Sequence, residues 1–370
     1  MAKTKVEKSF WTEFTPKSWA YFKGNYTLSL FKSDLFAGVT VGIIALPLAM
    51  AFAIAAGLSP EKGLITAIIA GFLISLLGGS RLQIGGPTGA FVVIIYDIVQ
   101  RNGYDGLVVV TLLAGIILLI AAFSRVGALI KYIPYPLITG FTTGIAVLIF
   151  SSQIKDFFGL QVDNLPANFL QKWGALFSAF GSIDLLTVSL SSGTLLLIIL
   201  IRRFRPKLPW GIISVVFATV ISWGLNLPVD TIASRFGEIE RTIPLPTFHG
   251  VSLSLANLRA LIPDALVIAF LAGIESLLSA VVADGMAGTR HKSNCELMAQ
   301  GIANIGSVLF GGIPATGAIA RTVANIKTGG KTPIAGMIHS ITILIIILAF
   351  APVVSKIPLA SLSAVLIMVA

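Results

Sequence analysis

Two segments of the 370-residue sequence place the same residue types where a polypeptide could hold an anion. Gly85-Gly86-Pro87-Thr88-Gly89-Ala90 and Gly311-Gly312-Ile313-Pro314-Ala315-Thr316-Gly317-Ala318 both run from glycines through a proline into Thr-Gly-Ala. Each leads into an apolar run, 87–100 and 316–328, too short to cross about 30 Å of hydrocarbon at about 1.5 Å per residue. Such runs read as half-helices. A helix start has N–H groups without partners and carries about half an elementary positive charge, so it attracts anions. Thr88 and Thr316 add hydroxyl donors, and Pro87 suits a first helical position because it has no N–H to leave unpaired. Gly89 and Gly317 let a ligand reach the backbone. The alternative is that the glycines serve only close helix crossing and the threonines bond their own backbone.

Two charged residues fall inside apolar runs, where each costs about 2.5 to 3.5 kcal/mol to insert and marks a functional hypothesis. They are Glu275, in Ala272-Gly273-Ile274-Glu275-Ser276, and Arg321, a little over one turn into the second half-helix. Glu275 is assigned to proton or cation coupling, the alternative being a structural carboxylate bonded to a backbone donor or to Arg321. Arg321 would supply fixed positive charge to an anion cavity, or else form a structural ion pair. Phe52, just past Pro47, belongs either to the cavity wall or to packing. Asp34 and Asp264 read as caps of the helices they open, and Asp284, Arg290, His291, Lys292 and Glu296 as a solvated cytoplasmic turn. The one cysteine, Cys295, excludes an internal disulfide, and His249 and His339 have no second ligand at metal spacing. No nucleophile, base and orienting group come together, so neither an enzyme nor a metal or other cofactor is expected.

These residues sit in a chain that is 56% hydrophobic and 11% charged, where soluble domains carry about 25% charged residues. A soluble enzyme is excluded, and apolar runs of helical length argue against an outer-membrane barrel. The predicted fold class is an all-α polytopic membrane protein, with spans at 34–57, 63–78, 87–100, 105–124, 132–154, 183–202, 210–226, 262–283, 294–310, 316–328, 333–352 and 357 to the end. The basic N-terminal segment has no apolar h-region of a signal peptide, so the first span is expected to direct insertion. With the N-terminus in the cytoplasm, 17 of the 26 Lys and Arg residues face inside, Lys3, Lys5, Lys8, Lys131 and the Arg202 to Lys207 cluster among them, and 8 face outside. The positive-inside rule therefore predicts a multi-pass protein of the cell (inner) membrane with a cytoplasmic N-terminus. The net charge of +10 is then topological, and no nucleic-acid partner is expected beside the lipid bilayer. From Thr88 to Thr316 is 228 residues, and the same interval carries Pro47 onto Glu275. Seven spans, an odd number, separate the copies, so the repeat is inverted and the two half-helix starts meet near the midplane. Inverted repeats with broken helices point to a secondary transporter.

Over residues 31–370 the chain resembles the SulP family of anion transporters, the bacterial relatives of the SLC26 carriers. The motifs are Gly42-Ile43-Ile44-Ala45-Leu46-Pro47-Leu48-Ala49-Met50-Ala51, Gly78-Gly79-Ser80-Arg81, Gly86-Pro87-Thr88, Gln153-Ile154-Lys155-Asp156-Phe157, Ile274-Glu275-Ser276-Leu277-Leu278-Ser279-Ala280-Val281-Val282 and Ala318-Ile319-Ala320-Arg321. Among the bacterial branches it looks most like the aerobic C4-dicarboxylate transporters. The resemblance implies a seven-plus-seven inverted repeat, with substrate held at Thr88, Gly89, Thr316 and Gly317 near Phe52 and Glu275. It implies a cytoplasmic segment at 1–33, a core domain from 34–131 and 262–352, and a gate domain from 132–261, extracytoplasmic linker included, and 353–370. The core would move against the gate like an elevator, and the full-length protein is expected to be a homodimer. The family has 14 spans and a soluble STAS domain, so the last spans and that domain are expected to lie beyond residue 370. Some members carry a carboxylate right after the position of Pro47; here it is Leu48, so coupling through the first span is not expected.

The resulting expectation is proton-coupled uptake of C4-dicarboxylates such as succinate or fumarate. The alternatives are a sulfate or bicarbonate transporter, sodium-coupled in one version, then a nucleobase transporter or an anion channel. A cysteine introduced in the 203–209 loop should label only from the cytoplasm and one at 235–245 only from outside; the opposite pattern would reverse the orientation.

Overall fold

The computed structural model describes residues 10–128, 135–162, 165–166, 168–205, 208–242, 244–246 and 255–370. His249, Lys3, Lys5, Lys8, Lys131 and Lys207 lie outside them, as does the expected boundary at 131–132. The helices are α1 (Phe10–Phe14), α2 (Leu28–Ala55), α3 (Pro60–Leu77), α4 (Val92–Phe123), α5 (Tyr135–Phe158), α6 (Phe169–Ser178), α7 (Leu185–Phe204), α8 (Trp210–Gly224), α9 (Ile232–Phe236), α10 (Leu255–Ala287), α11 (Ser293–Leu309), α12 (Ile319–Lys327), α13 (Ile334–Val354) and α14 (Leu359–Val369). A π-helical turn at Tyr21–Asn25 precedes α2, and a 3-10 turn at Gly89–Phe91 leads into α4. Among the described residues six helices are long and apolar enough to cross a bilayer: α2, α3, α4 with its 3-10 turn, α7, α10 and α13. The protein is a multi-pass, essentially all-helical membrane protein.

The two glycine-rich segments are extended, as expected, and they meet. Gly85–Gly86 forms β1 and Thr316–Gly317 forms β2, paired antiparallel with Gly85 opposite Gly317 and Gly86 opposite Thr316. The run 87–100 ends at Gly103, whose positive φ of 66° breaks α4 before the next span begins. Glycine tolerates that conformation because it has no Cβ.

Three expectations about charged residues fail, each for a tertiary reason. Helix α2 begins six residues before Asp34, capped by Thr27, whose Oγ1 accepts from the Leu30 N–H at 3.3 Å. Asp34 is instead fully buried and binds the chain ahead of α13, accepting from the N–H groups of Lys331 (2.7 Å) and Thr332 (3.0 Å) and from the Thr332 hydroxyl (2.5 Å). Asp264 lies inside α10, where it pairs with Arg101 at 3.1 Å. Glu296 is the largest departure, because it is fully buried rather than solvated. Its Oε2 accepts from the N–H groups of Gly79 and Ser80, both at 3.0 Å. Its Oε1 accepts from Ser276 Oγ (3.1 Å) and Gln300 Nε2 (3.0 Å).

Helices α2, α3, α4, α10, α11, α12 and α13 pack on one another, while α5, α7, α8 and α14 form a second group that meets the first mainly along α2. Small residues set the closest crossings in the first group. A Cβ on Gly115 of α4 would lie 2.9 Å from the Gly301 carbonyl oxygen of α11, and one on Gly301 would lie 2.7 Å from the Gly115 oxygen.

Removing Glu296 strands four buried donors that α11 and its neighbours cannot satisfy otherwise. Glu296→Ala should destabilise the protein by at least about 1 to 3 kcal/mol, the cost of one buried donor left unsatisfied, seen as a fall in thermal midpoint in detergent. An unchanged midpoint would mean that the network does not hold the fold.

Candidate anion-binding site

The middle of α2, the start of the 3-10 turn and the start of α12 border a cavity of about 440 Å³. Its wall includes Phe52, Thr88, Gly89, Glu275 and Arg321, so five of the seven residues expected at a site line one space. Apolar side chains from both helix groups, Ile145, Ile149, Trp210 and Ile274 among them, make up most of the rest. None of the first three was singled out in the sequence, where each reads as an ordinary apolar residue.

Thr88 is buried and its Oγ1 donates to Glu275 Oε2 at 2.9 Å. This contact joins the first half-helix to the middle of α10, two segments 187 residues apart. Arg321 is buried at 3% exposure and does not meet Glu275 in an ion pair. Its Nη2 donates to the Pro87 carbonyl and its Nη1 to Gly85 O at 3.4 Å. The guanidinium thus fastens β1 while its charge stays beside the cavity. Neither half-helix start has a side-chain cap, so no side chain competes with an incoming anion for those N–H groups.

Thr316 and Gly317 differ from the expectation. They do not line the cavity, because pairing with β1 draws them behind it. The Thr316 hydroxyl donates to Ala272 O at 2.8 Å and is fully buried. A Cβ on Gly317 would overlap the Gln83 side chain, whose Nε2 donates to Ser276 Oγ at 2.7 Å. Gly317 therefore permits close packing behind the site rather than ligand approach. On that half-helix Ala318, Ile319 and Ala320 face the cavity instead. Gly89 does admit the cavity: a Cβ there would sit 2.5 Å from Ile149 Cδ1 and 3.3 Å from Phe52 Cε1.

Residues 31–370 match the sulfate permease family. The chain belongs to this family. It is 45% identical over 351 residues to the putative sulfate transporter YvdB of Bacillus subtilis, covering 94% of this chain and 66% of that one. It is 33% identical to the bicarbonate transporter BicA of Picosynechococcus, covering 90% of this chain and 60% of that one. The solved transmembrane domain of a cyanobacterial BicA superposes with a TM-score of 0.85 at 32% identity, over 93% of this chain and 88% of that domain. This sulfate permease family chain thus spans 60% to 66% of the length of these two relatives.

The two threonines should separate in experiment. Thr88→Val removes a donor at the cavity wall and should weaken anion affinity by about 1 to 2 kcal/mol, roughly five- to thirty-fold. Thr316→Val should leave affinity unchanged and lower the thermal midpoint. Equal affinities for Thr88→Val and the parent protein, measured by isothermal titration, would remove Thr88 from the site.

Proposed function

We propose that the full-length protein is a secondary anion transporter and that this cavity is its substrate site. The observation that carries the reading is the convergence of two uncapped half-helix starts, Thr88, Glu275 and Arg321 on one mostly apolar space. Helix starts and a guanidinium favour a negative ligand, and water-poor walls strengthen that attraction. A neutral nucleobase would leave this charge unanswered. With Glu275 ionised, its charge offsets that of Arg321; with a proton on Glu275, the wall turns net positive just as a dianion arrives. Proton and substrate would then favour each other's binding reciprocally.

Within that reading, proton-coupled uptake of a C4-dicarboxylate is supported by the volume of about 440 Å³ and by apolar walls suited to a short carbon chain. A second reading, transport of sulfate or bicarbonate, is supported by the names of the relatives; there a sodium ion at Glu275 could take the proton's part. We further read the group of α2, α3, α4, α10, α11, α12 and α13 as the core that carries substrate, and α5, α7, α8 and α14 as the gate. The N-terminus is assigned to the cytoplasm of the cell membrane on the charge bias.

Uptake by the full-length protein of labelled succinate, fumarate, sulfate and bicarbonate, at two pH values and with or without sodium, decides between the two readings. Glu275→Gln should keep substrate binding and counterflow exchange but lose pH-driven accumulation, bringing the inside-to-outside ratio to about one. Wild-type accumulation by this variant would exclude Glu275 as the coupling group, and failure to fold would assign it a structural part.

A further inference from the structure

A second cleft, of about 230 Å³, lies between the end of α2, α4, α5 and α6. It begins just beyond the main cavity: Phe52 and Ile149 line the cavity, while Ile54 and Ser152, on the same two helices, line the cleft. Phe52 and Ile149 belong to one apolar cluster, converge on Gly89 and lie within three residues of the cleft-lining Ile54 and Ser152, which makes them the candidate partition between the two spaces.

The cleft is strongly cationic. Lys155, Lys172 and Arg235 line it against one carboxylate, Asp156, which pairs with Arg235 at 2.6 Å. The Lys155 ammonium donates to the Val162 carbonyl. Lys172 is different, because it is only 7% exposed and no hydrogen bond or ion pair reaches its Nζ among the described residues. Among the described residues its Nζ meets the face of Tyr96, 5.4 Å away. A lysine this buried with no ion pair from the described residues is costly, and it lines an open space rather than packed core.

Its position is also built. Helix α6 is capped by Asn168, whose Oδ1 accepts from Leu170 N at 3.0 Å and Gln171 N at 3.3 Å. Phe169, Trp173, Phe177 and Phe180 form a chain of ring contacts along it, with Leu170 78% and Phe177 65% exposed. Such an aromatic, amphipathic helix seats at a bilayer interface. The opposite face then holds Lys172 over the cleft.

We propose that this cleft is a second anion site, a vestibule where a small oxyanion pairs with Lys172 before Phe52 and Ile149 part to admit it to the main cavity. The oxyanion class rests on the transporter reading; capture at the cleft rests on the cleft's own groups. A fixed cationic recess raises the local concentration of anions next to the partition.

The test is sulfate titration of the full-length protein in nanodiscs of zwitterionic lipid at constant ionic strength, read by the fluorescence of Trp173 as sole tryptophan. A saturable response is expected, with the midpoint weakened at least ten-fold in both Lys172→Met and Lys172→Gln and unchanged in Thr88→Val. Calorimetry on protein with all its tryptophans should lose one class of sulfate sites in Lys172→Met. Thermal midpoints of the two neutral variants should hold or rise, since the uncompensated charge is gone. An unaltered response in those variants, a response that never saturates, or a lower midpoint with unaltered sulfate binding would overturn the proposal, the last making Lys172 a structural partner of Tyr96. If Thr88→Val and Glu275→Gln both leave uptake untouched while the Trp173 response stands, the transport reading fails and the cleft survives.

Discussion

The structure depends on satisfying backbone that runs unwound through a membrane. Away from water, an unpaired N–H or carbonyl costs several kcal/mol, so non-helical chain survives at depth only where it is buried in protein or lines a water-filled cavity. The stretch before the first half-helix is held from α11 and α12: Glu296 accepts from Gly79 and Ser80, Thr322 accepts from Ile84 N at 3.1 Å, Asn325 donates to Leu82 O at 2.9 Å, and Arg321 binds Gly85 and Pro87. The stretch before the second is held by Asn304, which accepts from Ala315 N and donates to Ala315 O, both at 2.9 Å, and by Thr66, which accepts from Ile313 N at 2.7 Å. The first segment is completed by side chains far away in sequence, the second by Thr66 and by Asn304 of the adjoining α11.

That constraint explains why so many polar residues of an apolar chain are fully buried. Many of them bond backbone or one another, and the polar groups left on the cavity wall are few: Thr88, Glu275, Arg321 and two uncapped helix starts. Arg321 belongs to both sets, since it secures β1 and sets the charge beside the cavity. Mutating it would therefore confound folding with binding, whereas Thr88 separates the two.

The cationic cleft and the main cavity share a wall but differ in design. The cleft gathers charged side chains around a partly solvated recess, where their attraction reaches approaching ions and is screened by salt. The cavity instead sets the charges of Arg321 and Glu275 and two helix starts among apolar walls, where they act at higher effective strength. In the proposed path Phe52 and Ile149 would divide these two spaces.

The sequence alone determined the membrane setting, the helical class and the two half-helix starts, because long apolar runs and glycine-rich breaks follow from local chemistry. It also singled out Glu275 and Arg321, since a charge in an apolar run stands out without any structure. Tertiary structure decided which polar groups meet. Glu296 reads from the sequence as part of a solvated turn, yet it is buried and reaches across to Gly79 and Ser80. Thr88 and Thr316 occupy matching places in the two motifs, but strand pairing leaves one at the cavity and draws the other behind it. Identical local sequence cannot distinguish these outcomes, because burial and bonding partners are properties of the assembled helices and not of the segment.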